Sequence, residues 1–128
     1  GNPLKAIFKM FIPMRRYMKT KKISYVEKIV ENLFTDKDPY AIQYLSKVFL
    51  HFKMDFSALP VISKKEANAI KTPINLFAGG NDIMFPGKKM LKRAKKIFPS
   101  LGNTILLEKS KHVQNKKDNT LIESYILK

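Results

Sequence analysis

The 128-residue sequence predicts an α/β chain: helices first, then one strand-helix-strand-helix unit built on a parallel pair. Up to about residue 72, apolar residues recur at three- and four-residue steps, the period of a helix facing a core. Beyond it they contract into two short runs bounded by Pro and Gly, with a helical stretch between them. The short connections tie strand, helix and strand into a right-handed parallel crossover.

In the first helix Leu4, Ile7, Phe8, Phe11, Met14 and Met18 form one stripe, with Lys5, Lys9, Arg16 and Lys19 on other faces. Pro13 should bend or interrupt it, because proline lacks the N–H that the carbonyl four residues earlier needs. Ser24 to Phe34 places Val26, Ile29, Val30 and Leu33 on one side. Asp38 is the expected N-cap of a third helix, with Pro39 at its first position. That helix runs to about Met54 with Ile42, Leu45, Val48, Phe49 and Phe52 on a shared face. From Asp55 to Thr72 the chain is a connector with one amphipathic turn, Glu66 to Ile70. Ile74 to Ala78, between Pro73 and Gly79-Gly80, reads as a buried strand. Pro86 opens a helix whose face is Met90, Leu91, Ala94, Ile97 and Phe98, stopped by Pro99 and Gly102. Thr104 to Glu108 is the second strand. The last helix starts near Asp118 and turns Leu121, Ile122, Tyr125 and Ile126 inward.

Two parallel strands alone leave edges and faces uncovered, so a larger sheet is expected beside them. The first residue is Gly1, which is not a translation start, and a removed leader or N-terminal part is expected. The stretch Leu4 to Tyr17 is too broken by charge and Pro13 for a signal peptide, and no apolar run reaches membrane-spanning length. Cysteine is absent. Disulfides, thiolate metal sites and a cysteine nucleophile are thereby excluded, which fits a cytoplasmic location.

The 25 Lys+Arg against 10 Asp+Glu give a net charge of +15. Nearly all are lysines spread along the chain; only Arg15, Arg16 and Arg93 carry the forked guanidinium suited to phosphate and base edges. A solvated lysine-rich surface is the simplest reading, with a basic module for nucleic acid or an anionic membrane surface as the alternative.

Chemistry concentrates after the two strands. In open parallel sheets the working loops lie at the carboxyl ends of strands. Asp82 follows the first in Gly79-Gly80-Asn81-Asp82, and His112 follows the second in Glu108-Lys109-Ser110-Lys111-His112. Adjacent strands would set these loops side by side, where a carboxylate can orient an imidazole. The plainer readings are a turn or N-cap aspartate before the Pro86 helix, and a surface histidine among lysines. His51, beside apolar helix residues, reads as structural. Two histidines with distant carboxylates give no metal-ligand spacing, and Gly79-Gly80 is not followed by the lysine and hydroxyl of a phosphate loop.

The stretch Ile70-Lys71-Thr72-Pro73-Ile74-Asn75-Leu76-Phe77-Ala78-Gly79-Gly80-Asn81-Asp82-Ile83-Met84-Phe85-Pro86 resembles the penultimate strand of the α/β-hydrolase superfamily and its acid turn. The helix to Phe98-Pro99, the strand to Glu108 and His112, thirty positions after Asp82, continue that layout. The resemblance covers about residues 55 to 128, and the helices ahead of Thr72 are similar to the family's inserted cap. It implies a helical cap segment and connector over residues 1–72. Residues 73–128 would then be the last strand-helix-strand-helix of the hydrolase core, an incomplete domain. The implied chemistry is a Ser-Asp-His triad in the family's chain order, with Asp82 orienting His112. The chain departs from the pattern at Lys111, where the family usually has Gly, and at Gln114 to Lys117, where an acidic residue is common. It has no Gly-x-Ser-x-Gly around any serine, and the oxyanion loop belongs to the family's N-terminal half.

The resulting expectation is the C-terminal part of a serine hydrolase, its parent a carboxylesterase-like enzyme acting on a small ester-like substrate. The part alone should be inactive. The Phe and Met residues of the cap would pack the core or line an apolar pocket for the acyl group. No cofactor and no metal are expected. The partners expected are the missing N-terminal half of the domain and other copies of this chain, not nucleic acid or membrane. An inert structural relative is the third possibility.

Overall fold

The computed structural model describes residues 3–53, 55, 57 and 60–126. Helices α1 (Pro3–Ala6) and α2 (Ile12–Thr20) are joined without a break by a π-helical turn, Ile7–Phe11. Then come α3 (Ser24–Leu33), α4 (Pro39–His51), α5 (Lys64–Ala69), β1 (Ile74–Gly79), α6 (Gly87–Ile97), β2 (Leu101–Leu107) and α7 (Lys116–Ile126). The chain is mixed helix and strand, with a two-stranded parallel sheet among the described residues.

Pro13 neither breaks nor stops the first helix. The turn ahead of it widens, and Ile12 N–H bonds Ile7 O, five residues back. The Lys9 carbonyl, which Pro13 cannot serve, takes a long bond of 3.4 Å from Asn32 Nδ2 on α3. The wider turn holds an extra residue and rotates the apolar stripe. Met14 and Tyr17 are buried, while Leu4, Ile7, Phe8 and Met18, expected on the same face, are exposed.

Val26, Ile29, Val30 and Leu33 of α3 are all buried, as their spacing implies. Val26, Ile29 and Leu33 meet Met14, Tyr17 and Phe49 in a core against which the partly buried Ile42, Leu45, Val48, Ile83 and Met84 pack. Each buried aliphatic side chain contributes roughly 1.5–3 kcal/mol. Asp38 caps α4 through its side chain and Ala41 N–H, 3.0 Å, with Pro39 next. Phe52, expected on the packed face, is 67% exposed because α4 has already ended at His51. Met54, the expected end of that helix, lies outside the described residues. The connector's turn is α5, closed by a reciprocal Ser63–Glu66 capping box.

Strands β1 and β2 pair from Ile74 opposite Leu101 to Gly79 opposite Leu107, with an irregularity between Ile74 and Leu76. There Asn75 Oδ1 accepts the backbone N–H of Asn103 at 3.0 Å. Gly102 lies inside β2 rather than stopping a helix; a Cβ on it would stand 3.0 Å from that same oxygen. The strand therefore begins earlier than its apolar run, which starts only at Thr104. Helix α6 packs on one side of the sheet, with Ala94 and Ile97 buried and Met90 left on the exposed side. On α7, Tyr125 meets Phe77 edge-on at 5.3 Å. Leu121 and Ile126, expected inward, are exposed, because no described element covers that face. Phe34, just past α3, forms a parallel bridge with Val113, just past His112.

Candidate active site

The acid and histidine loops are joined through their backbones. Gly80 N–H donates to Leu107 O at 2.8 Å, and Asn81 N–H to Ser110 O at 2.9 Å. Such close approach needs glycine. A Cβ on Gly79 would stand 2.6 Å from Lys111 O and 2.9 Å from Ser110 O, and one on Gly80 would collide with Glu108 O.

Asp82 follows directly. Its Oδ1 accepts Met84 N–H at 2.7 Å and Phe85 N–H at 2.9 Å, while Oδ2 stands 3.0 Å from His112 Nδ1. The side chain is 9% exposed. Ile83 and Met84, partly buried, pack against the helical core, which anchors the turn holding the carboxylate. Asp82 is thus a turn aspartate and the partner of His112 at once. It is not the cap of α6, whose N-cap is Pro86.

The His112 side chain is 33% exposed, and the Phe85 ring lies 5.6 Å from it at 36°. Both lone pairs of Oδ1 meet backbone donors, so the carboxylate offers Oδ2 to Nδ1–H, the donor of that contact. In the neutral ring, a proton on Nδ1 leaves the lone pair on Nε2. Among the described residues no hydrogen bond reaches Nε2.

Beside Asp82 opens a cleft of about 600 Å³. Lys5, Lys9, Lys89 and Lys111 line it, with Glu31, Asn32 and Asp82. A second concavity of about 650 Å³, lined by Phe11, Met14 and Met18 with Arg15 and Lys19, lies on α2 and shares no residue with the cleft. His51 is exposed at the end of α4, apart from both. Among the described residues no three His, Cys, Asp or Glu side chains gather to hold a metal, and no helix is long and apolar enough to cross a membrane.

The sequence reading did not single out Phe85, whose proximity depends on the Asp82 turn, or the contacts that residues 31–35 make with the histidine loop. Those contacts span about eighty positions, and no local pattern signals them. Comparison of the chain with protein-family models, curated proteins and solved structures finds no match.

Proposed function

We propose that this chain supplies the acid, the histidine and the cap of a serine hydrolase of the α/β-hydrolase kind, acting on a carboxylic ester. The nucleophilic serine comes from outside these residues. The observation that carries the reading is the 3.0 Å contact of His112 Nδ1 with Asp82 Oδ2 at the carboxyl ends of two adjacent parallel strands. Its support is chemical: a carboxylate largely out of water, pinned by two backbone donors, orients an imidazole whose other nitrogen stays accessible.

In the proposed reaction His112 Nε2 takes the proton of the serine hydroxyl as that oxygen attacks the ester carbonyl. It then hands the proton to the departing alkoxide. In the second half Nε2 takes a proton from water as the water oxygen attacks the acyl-serine carbonyl, then returns it to the serine oxygen as that bond breaks, and the acyl group leaves as a carboxylic acid. Asp82 holds the ring throughout and stabilises the imidazolium formed in each half. Without the serine, this chain performs none of these steps.

The test is fluorophosphonate labelling of the full-length parent alongside hydrolysis of short-chain p-nitrophenyl esters. The reading expects label on a serine outside these 128 residues and ester turnover blocked by it. A parent that takes no label and turns over no ester refutes it. A second reading, a basic surface for nucleic acid or anionic lipid, draws on the four lysines around the cleft beside Asp82. It expects binding that collapses as salt rises.

A further inference from the structure

The loop that carries His112 is held by the segment that leaves α3, and the hydrogen bonding centres on one hydroxyl. Thr35 Oγ1 donates its single proton to Val113 O at 2.8 Å. Its lone pairs take Lys111 N–H at 3.0 Å and face the Ser110 hydroxyl at 3.3 Å. Ser110 is 1% exposed, so its hydroxyl has no water to fall back on. Backbone bonds run alongside: Thr35 N–H to Val113 O at 2.9 Å and Val113 N–H to Leu33 O at 2.8 Å. Both peptide neighbours of His112 are therefore fastened to residues 33–35. Lys111 adds a third tie, its Nζ donating to Glu31 O at 2.6 Å. That carbonyl is in the last turn of α3, where the helix leaves carbonyls unpaired and favours a cation.

We infer that Thr35 is the positioning residue of His112: its hydroxyl fixes the backbone on both sides of the histidine and so aims the imidazole at Asp82. Lys111, the departure from the usual glycine before the histidine, belongs to the same device. Its stem and ammonium couple the loop to α3, a job that glycine cannot do. The helices ahead of the sheet then act on the pair directly, through residues 31–35. Calling the pair catalytic rests on the function proposed above. The positioning itself does not, and it is measurable on this chain without a nucleophile.

The experiment is nitrogen-15 NMR of the His112 ring in the unsubstituted chain and in Thr35→Val, Thr35→Ser and Lys111→Met. The unsubstituted chain should show the Nδ1-protonated tautomer with a low-field, slowly exchanging Nδ1 proton. Thr35→Val keeps the shape but removes the hydroxyl; it should lose that proton and average the two ring nitrogens, while the methyl shifts of Val26 and Ile29 stay put. Thr35→Ser should restore the signature, and Lys111→Met should weaken it. Ring signals in Thr35→Val identical to those of the unsubstituted chain overturn the assignment, as does failure of serine to restore them. Hydrogen exchange on the unsubstituted chain is independent of any variant's folding. The amides of Thr35, Lys111 and Val113 should be protected together, and free exchange of Lys111 or Val113 overturns the proposal. In the parent, Thr35→Val should lower kcat by roughly 10²-fold with KM unchanged, the scale of a small misplacement of a reacting group.

Discussion

A carboxylate with one oxygen bound by two backbone N–H groups has a single way left to serve a neighbour, and at Asp82 that neighbour is His112. Asp82→Asn keeps the shape but offers an amide, which can donate to Nδ1 and so favours the wrong tautomer. Under the proposed function, the expected result is a loss in kcat of the full-length hydrolase on the order of 10⁴-fold with little change in folding. Both residues stand out in the sequence because each follows an apolar run at a fixed offset. The 3.0 Å contact itself depends on the register of β1 with β2, which no single residue states. Glu66 offers a second, separable prediction. The backbone N–H and side chain of Ser63 hold its carboxyl below the ordinary value of 4.5. A lowered folded value means the capping contribution is full above 4.5 and is lost as pH falls through the lowered value. The amide signals of residues 64–69 should accordingly lose helical character in acid, and Glu66→Gln should remove that pH dependence.

Among the elements, those with local chemical signals were legible and those shaped by distant partners were not. Asp38-Pro39 announces the start of α4 by capping geometry alone. Asp38→Ala should cost about 1 kcal/mol in denaturant unfolding. Val26, Ile29, Val30 and Leu33 follow from helical period, and Ile29→Ala, at 1% exposure, should cost about 2–5 kcal/mol. The first helix departs from its apparent period. A stripe read at constant period from Leu4 to Met18 ignores the extra residue that Pro13 induces upstream, and the structure divides that stripe between buried and exposed. The start of β2 was hidden as well. Gly102 reads as a stop by composition, whereas its place in the strand depends on the Asn75 side chain twenty-seven positions earlier. Gly79→Ala tests how tightly the two site loops are joined: its Cβ would press on Lys111 O. The substitution should displace the His112 loop and weaken the Asp82 contact, seen as a changed Nδ1 proton signal.

For the whole molecule, the order of helices and strands follows from the change of apolar period near residue 72. The interlock of the helical segment with the histidine loop does not, because it is made by backbone groups, the Thr35 and Ser110 hydroxyls and the Lys111 ammonium across about eighty positions. Both outer strand edges lack a strand partner among the described residues, and Leu121, Ile126 and Phe8 are exposed. The chain should therefore self-associate. Because it carries +15, mutual repulsion should oppose that association at low salt and yield as salt screens it. Sedimentation should show mass rising with concentration and ionic strength; a monomer at high concentration in high salt contradicts this. The proposed hydrolase is tested first by p-nitrophenyl ester hydrolysis in the full-length protein, with Asp82→Asn and His112→Ala beside it. Both substitutions should abolish turnover while the protein stays folded; turnover unchanged by both refutes the pairing of Asp82 and His112 as a catalytic unit.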